Sequence, residues 1–208
     1  MAAEKVAHAA CNAIDRLGKP VKVEAEIVHG APVAGLIAAS RSTTLLCVGD
    51  TGAAMHSDAW LGSTAKELAR SGHCSVAIVR GGRDADVMSQ RRIVALVDES
   101  PDGMDVLELA IHEARHRGAA LRVLRDSVSG DAAMKRCMDN YPEVEIDTVL
   151  LDGSLVEYLA THAAAIELLV VGAAQTAAVE QLLGAAGAAA LRDSEFSLLV
   201  VGFKRPGR

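Results

Sequence analysis

Gly49, Gly52 and Gly62 stand at the end of an apolar run and are followed at once by Ser63 and Thr64, in the stretch VGDTGAAMHSDAWLGSTAKEL from residue 48 to 68. Glycines at that spacing let backbone N–H groups approach phosphate oxygens, and a helix beginning just after them adds its positive N-terminal end. Thr64 and Glu67 form a T-x-x-E pattern that predicts a capping box, with Ser63 supplying another hydroxyl beside the first N–H groups. A phosphate could be held there by backbone alone. The same residues also suit a tight turn at Gly49 and Gly52 followed by a plain helix cap, and the residues alone leave both readings open. Lys does not follow the last glycine, so the loop is not a Walker P-loop, nor is it the G-x-G-x-x-G dinucleotide fingerprint.

A second chemical pattern is HEARH at residues 112 to 116, a formal match to H-E-x-x-H, in which two histidines one helical turn apart bind zinc and the glutamate acts as base. A zinc hydrolase is the enzyme reading this offers. It is rejected because Leu107, Ala110, Ile111 and Ala114 form the buried stripe of that helix, leaving His112, Glu113 and His116 on its polar side. Ala119 and Arg122 also stand where the longer zinc motif needs Gly and His. His8, His29, His56, His73 and His162 form no metal spacing, and no Ser, His and Asp set sits on a nucleophile turn. No catalytic or metal-binding constellation is expected. His56 and Trp60 lie within the glycine loop, where they suit either a cover over a bound nucleotide or a surface loop with one anchoring aromatic.

The elements that would position the loop occur twice. Pro20 to Asp50 and Pro142 to Ala173 share one order: an alternating strand-like run ending at Gly30 or Gly153, a short helical stretch, then a compact apolar run ending at Gly49 or Gly172. This is a duplicated module rather than a short solenoid repeat. GGRDADVMSQRR, from Gly81 to Arg92, reads as the linker, giving modules at 1–82 and 91–208. The second module reads as strand IVALVDES, a helix over 102–118, strand ALRVLRD, a helical segment near 131–140, strand VEIDTVLL, helix LVEYLATHA, strand IELLVVG, a helix after Gly184, and strand FSLLVVGF. Strands apolar on both faces alternating with helices predict a parallel sheet covered on both sides. The first module shows a helix over 2–17, strand VKVEAEIV at 21–28, helix PVAGLIAAS, strand TTLLCVG, the glycine loop, a helix and strand CSVAIVR. Its first strand, first helix and second strand have no counterpart.

With 208 residues, half of them hydrophobic, the chain can bury a core in each module, and with aromatics at 2% those cores must be aliphatic. A net charge of −6 with no basic stripe argues against nucleic acid as a partner. No secretion signal and no run approaching the roughly 20 apolar residues of a membrane span is evident. Cys11, Cys47, Cys74 and Cys137 form no C-x-x-C pair and suit a reducing, cytoplasmic setting.

G-x-x-G, nine residues, then G-S, between the fourth and fifth strands of a module, resembles the nucleotide-binding motif of the universal stress protein family. Gly49, Gly52, Gly62 and Ser63 match it one for one. The arrangement of two modules is similar to the tandem members of that family in actinobacteria. The resemblance implies an α/β, flavodoxin-like (adenine nucleotide alpha hydrolase-like) parallel sheet sandwich with strand order 3-2-1-4-5, paired through fifth-strand edges either in a homodimer or as a pseudo-dimer within one chain. It further implies a stress-response binding protein taking ATP or a related adenine nucleotide, with Mg²⁺. Asp98 in LVDES matches the family's aspartate beside the adenosine; capping of the following helix is its alternative role. In the second module Gln175 replaces the second glycine and Ala185 the serine, so neither module holds a whole site. The chain thus reads as an N-terminally shortened form whose first module is loosely packed or completed by another copy. A nucleotide-free interaction protein of the same fold is the alternative reading.

Overall fold

The computed structural model describes residues 2–50, 60–80, 91–100, 103–127 and 131–202. Gly52, His56 and residues 81–90 of the expected 81–92 linker lie outside the described residues, and Arg92 already belongs to a strand.

Seven strands form one sheet: β1 (Leu45–Gly49), β2 (Ser75–Val79), β3 (Arg92–Val97), β4 (Leu121–Arg125), β5 (Ile146–Leu150), β6 (Ile166–Gly172) and β7 (Ser197–Val201). Their order is β1-β2-β7-β6-β3-β4-β5. Within β3 to β7 all pairings are parallel, which gives module two the order 3-2-1-4-5 when its strands are counted from its own start. The fifth strands of the two modules meet antiparallel, Ala77 opposite Leu199. The fifth-strand pairing is therefore made inside one chain, as a pseudo-dimer, and β1 and β2 extend the sheet of module two.

The helices are α1 (Ala2–Asp15), α2 (Pro32–Ser40), α3 (Ser63–Ser71), α4 (Gly103–Arg117), α5 (Asp131–Asp139), α6 (Leu155–His162), α7 (Thr176–Leu183) and α8 (Ala185–Ala190). Their apolar residues fill two cores divided by sheet face rather than by module, which corrects the expectation of one core each. On one face, Leu68 of α3, Leu159 of α6 and Leu182 of α7 pack on Val76, Ile78, Leu169, Leu198 and Val200. On the other, Leu107, Ala110, Ile111 and Ala114 of α4 lie against Ile93, Ala95, Val123 and Val170, with Met134 of α5 beside them. The strands' alternation decides the division, since neighbouring residues point to opposite faces.

Two elements differ from expectation. Residues 21–28 form no strand and lie exposed, apart from a half-buried Val23. A strand persists only if its backbone groups find a ladder, and β1 pairs with β2 alone among the described residues. Residues 176–183, expected as part of a degenerate glycine loop, form α7 instead, with Val179, Leu182 and Leu183 buried at helical spacing. The duplication is nevertheless visible in the backbone. Gly30 and Gly153, the matching ends of the two alternating runs, both adopt positive φ, at 123° and 92°, a conformation side-chain-bearing residues rarely take.

Polar contacts bind the halves together. Arg70 of α3 forks onto Glu180 of α7, Nε to Oε1 at 2.8 Å and Nη2 to Oε2 at 3.1 Å. Ser75 Oγ donates to the Gly202 carbonyl and accepts from the Gly202 N–H, both at 3.2 Å. At the far edge Asp147 of β5 takes the Arg122 guanidinium, with Arg92 3.4 Å away. The Arg122 hydrogen bond holds the Asp147 carboxyl below its usual value, against the opposing effect of burial. A depressed folded-state pKa adds stability above the ordinary carboxylate range, and that stability is lost as pH falls through the folded value. Asp147→Asn should therefore cost about 0.5–1 kcal/mol at pH 7, the small size reflecting a side chain 43% exposed, and nothing in strong acid. Urea unfolding of both forms across pH checks it; a gap that persists below the carboxylate range refutes the linkage.

Candidate functional site

The glycine-loop helix begins where the motif requires. Gly62 is the N-cap of α3, in extended conformation, and no side chain caps it. Its N–H donates to the Asp50 carbonyl at 2.6 Å, which fastens the helix start to the carboxyl end of β1. Gly49, Gly62, Ser63 and Thr64 are so brought to one place, and the first N–H groups of α3 have no intrahelical acceptor. The capping box does not form: Glu67 instead accepts from Ser71 at 2.8 Å, one turn further on. With glycine at the N-cap, the helix start lies one residue before Ser63 and two before Thr64, the hydroxyls that were expected to cap it.

The charge beside that helix start is balanced. Asp50, next after Gly49, lies 2.9 Å from Arg80 Nε, with both side chains mostly buried. Arg80 also donates to the Ser194 carbonyl, while its backbone N–H bonds Ser197 Oγ at 3.2 Å. Trp60 is an anchor rather than a cover. It is fully buried in the shared core, 5.5 Å from the Phe196 ring at a 59° tilt, and its Nε1 finds no acceptor among the described residues.

Asp98 is elsewhere. It ends β3, four strand positions from β1, so the structure does not bring it to the glycine helix. Its Oδ1 accepts from the Ser100 hydroxyl at 2.6 Å and the Ser100 N–H at 3.2 Å. A Cβ on Gly103 would stand 2.2 Å from the Asp98 carbonyl oxygen, so α4 can begin there only with glycine. Asp98 thus holds the turn at Ser100 that precedes α4. It also lines a cleft of about 410 Å³ at the carboxyl ends of β3 and β6, together with Asp126, Gly153, Gln175, Thr176 and Gln181. In an open parallel sheet that is the ligand position, where strand order reverses.

Gln175 closes the back of this cleft. Its side-chain oxygen accepts from the Gly172 N–H at 2.8 Å, and its amide nitrogen donates to the Leu96 carbonyl at 3.1 Å, both buried. One side chain thus ties the ends of β6 and β3 and uses the Gly172 N–H that a phosphate would need. The sequence showed that Gln175 replaced a glycine, but not that its amide spans two strands. Asp98 and Asp126 add negative charge, and no Lys or Arg lines the cleft among the described residues.

His112 and Glu113 of the HEARH stretch are engaged locally. His112 Nε2 lies 3.4 Å from the Tyr141 hydroxyl, and Glu113 accepts from Arg117 at 3.1 Å. No cluster of three His, Cys, Asp or Glu that could hold a metal occurs among the described residues.

A mostly parallel sheet packed with helices, module two in the order 3-2-1-4-5, defines a flavodoxin-like α/β fold, and the chain's relatives narrow the class. The model of the universal stress protein family matches residues 1–80. Universal stress protein Rv2028c of Mycobacterium tuberculosis is 37% identical over 213 residues, spanning 97% of this chain and 76% of that protein. Universal stress protein Rv2624c of the same organism is 32% identical over 209 residues, spanning 96% and 76%. The crystal structure of a universal stress protein from Archaeoglobus fulgidus superposes with a TM-score of 0.70 at 19% identity, over 99% of this chain and 77% of that one, a likeness of fold. The chain belongs to the universal stress protein family. Among the described residues no helix is long and apolar enough to cross a membrane, and all four cysteines are described without a disulfide.

Proposed function

We propose that this chain is a cytoplasmic stress-response protein that acts by binding rather than turnover, its module-one loop taking the phosphates of ATP or a related adenine nucleotide with Mg²⁺. The bond from the Gly62 N–H to the Asp50 carbonyl carries the reading, because it holds an uncapped helix start at a strand end. Gly49 and Gly52 supply backbone donors, Gly62 opens the helix whose first N–H groups follow it, Ser63 and Thr64 supply hydroxyls, and the Arg80 partner of Asp50 keeps that carboxylate from repelling an anion. Asp98 serves sugar or base only in the module-two cleft. Binding would change the surface that the loop offers to a partner, in proportion to the nucleotide's preference for one loop state.

Calorimetric titration with MgATP tests this on the parent chain and on Gly52→Gln, which installs in module one the residue of module two. Saturable heat from the parent and none from the variant is the expected result. Absence of heat from a folded parent favours the second reading, a nucleotide-free interaction protein, to which the Gln175 closure of module two already lends support.

A further inference from the structure

We propose that a cleft beneath α5, at the β5 end of module two, binds a small aromatic monocarboxylate. The cleft holds about 580 Å³, a size typical of small-molecule sites. All its walls come from residues 125–148: α5 and the turn after it form one side, β4 and β5 the other. Met134 and Val144 of its lining belong to the core on the α4 face of the sheet. It shares no lining residue with the β3–β6 cleft and lies six strand positions from the glycine loop's β1. Neither the nucleotide reading nor the pairing of the modules uses it.

The lining is apolar over most of its area and cationic at its inner end. Met134, Met138, Tyr141, Pro142, Val144 and Ile146 supply the apolar surface. Methionine side chains adapt their shape and make favourable contacts with aromatic rings, and Tyr141 adds a ring of its own. Arg125 is only 8% exposed. It follows the buried Leu121 and Val123 at alternate positions of β4, so a guanidinium stands where the strand's pattern calls for an apolar residue. Its five N–H donors are enough to keep the contact it has within the chain and still fork onto a carboxylate.

The charges around the cleft select one carboxylate on an apolar body. Lys135, exposed on α5, is a second cation, and Asp139, one turn further on and also exposed, is the acid of the lining. Two cations attract a single anionic group, while Asp139 at the surface disfavours a second one on the same ligand. A nucleotide's phosphates would lie against methionine and proline, where they lose water without gaining donors. Arg125 and Met134 also wall a smaller hollow of about 330 Å³ lined by Asp98, Glu99 and Asp126. Those three acids repel the carboxylate from that side and keep it on the α5 side of Arg125. Among the described residues β5 is the last strand of its end of the sheet, and the exposed Thr148 marks the open side through which a ligand enters.

Calorimetric titration with 2-naphthoate, its neutral counterpart 2-naphthylmethanol, and decanoate tests the assignment. The parent should bind 2-naphthoate saturably at one site and the alcohol roughly 10- to 100-fold more weakly, the worth of a hydrogen bond to a charged group. Decanoate, with the charge but no ring, should bind more weakly than 2-naphthoate. Arg125→Met should bring the acid down to the alcohol's affinity. Thr148→Trp, which fills the cleft from an exposed position outside the core, should abolish binding of both. Circular dichroism checks that each variant is folded; if Arg125→Met is not, the ratio of acid to alcohol on the parent decides the role of the charge. No saturable heat from a folded parent at millimolar 2-naphthoate overturns the proposal. Equal affinity for acid and alcohol overturns the carboxylate, and tighter binding of decanoate overturns the ring. Binding that survives Thr148→Trp, or that excess MgATP displaces, puts the ligand in another cavity and overturns the site. The parent's response to 2-naphthoate needs no nucleotide, so failure of this site and failure of MgATP binding are read separately.

Discussion

Trp60→Ala should lower the stability of the chain by about 3–5 kcal/mol, the range for removing a large aromatic from a packed core. The indole is fully buried against Phe196, within a cluster that joins α3 and β2 of module one to α7 and β7 of module two. Since the cavity opens in a core shared by both modules, unfolding should remain a single cooperative transition, shifted down by roughly 10 °C or more for a chain of this size. Guanidinium unfolding followed by circular dichroism measures it, because Trp60 is the only tryptophan and its fluorescence disappears with it. Trp60→Phe keeps most of the ring contact and should lose less than half as much. Two separated transitions in Trp60→Ala, with the second at the parent's midpoint, would show that the modules do not share their stability.

The same residue shows where sequence reasoning ends. An aromatic ten residues after Asp50 was readable as a loop anchor or a nucleotide cover, and the choice depended on a partner, Phe196, that lies 136 positions away in the other module. Local signals did better. The compact apolar runs at Leu45–Gly49, Ile166–Gly172 and Ser197–Val201 became strands, and Leu107, Ala110, Ile111 and Ala114 became the buried stripe of α4. The failures came where local pattern and long-range context disagreed. Residues 21–28 carry as clear an alternation as any strand in the chain, but alternation states a capacity to pair and not the presence of a neighbour. For residues 176–183 the pattern was present in Val179, Leu182 and Leu183, yet comparison with the glycine loop of module one concealed it. The glycine helix start at Gly62 was legible because it depends on residues adjacent in sequence, whereas the Thr64–Glu67 box failed because the helix begins two residues earlier than that pattern requires.

Gln175→Gly should cost about 2–4 kcal/mol, measured by chemical unfolding, because two buried backbone groups, the Gly172 N–H and the Leu96 carbonyl, lose a side-chain partner together. Gln175→Glu separates the two bonds. Its carboxylate still accepts from Gly172 but cannot donate to Leu96 when ionised, so it should destabilise near neutral pH and recover part of the loss on acidification, as protonation restores a donor. The direction follows from linkage: burial beside a carbonyl favours the protonated form, whose stabilisation falls away as pH rises through the raised folded value. Function divides from stability here. Removing the glutamine opens the β3–β6 cleft but leaves Asp98 and Asp126 facing it, with no basic lining residue among those described. Gln175→Gly combined with Gly52→Gln should therefore give no saturable MgATP heat. If that double variant binds MgATP, residue 175 alone separates an open nucleotide site from a closed one. If it does not, the closure of module two is built twice over, by the amide that occupies the phosphate's donor and by the charges that would repel it.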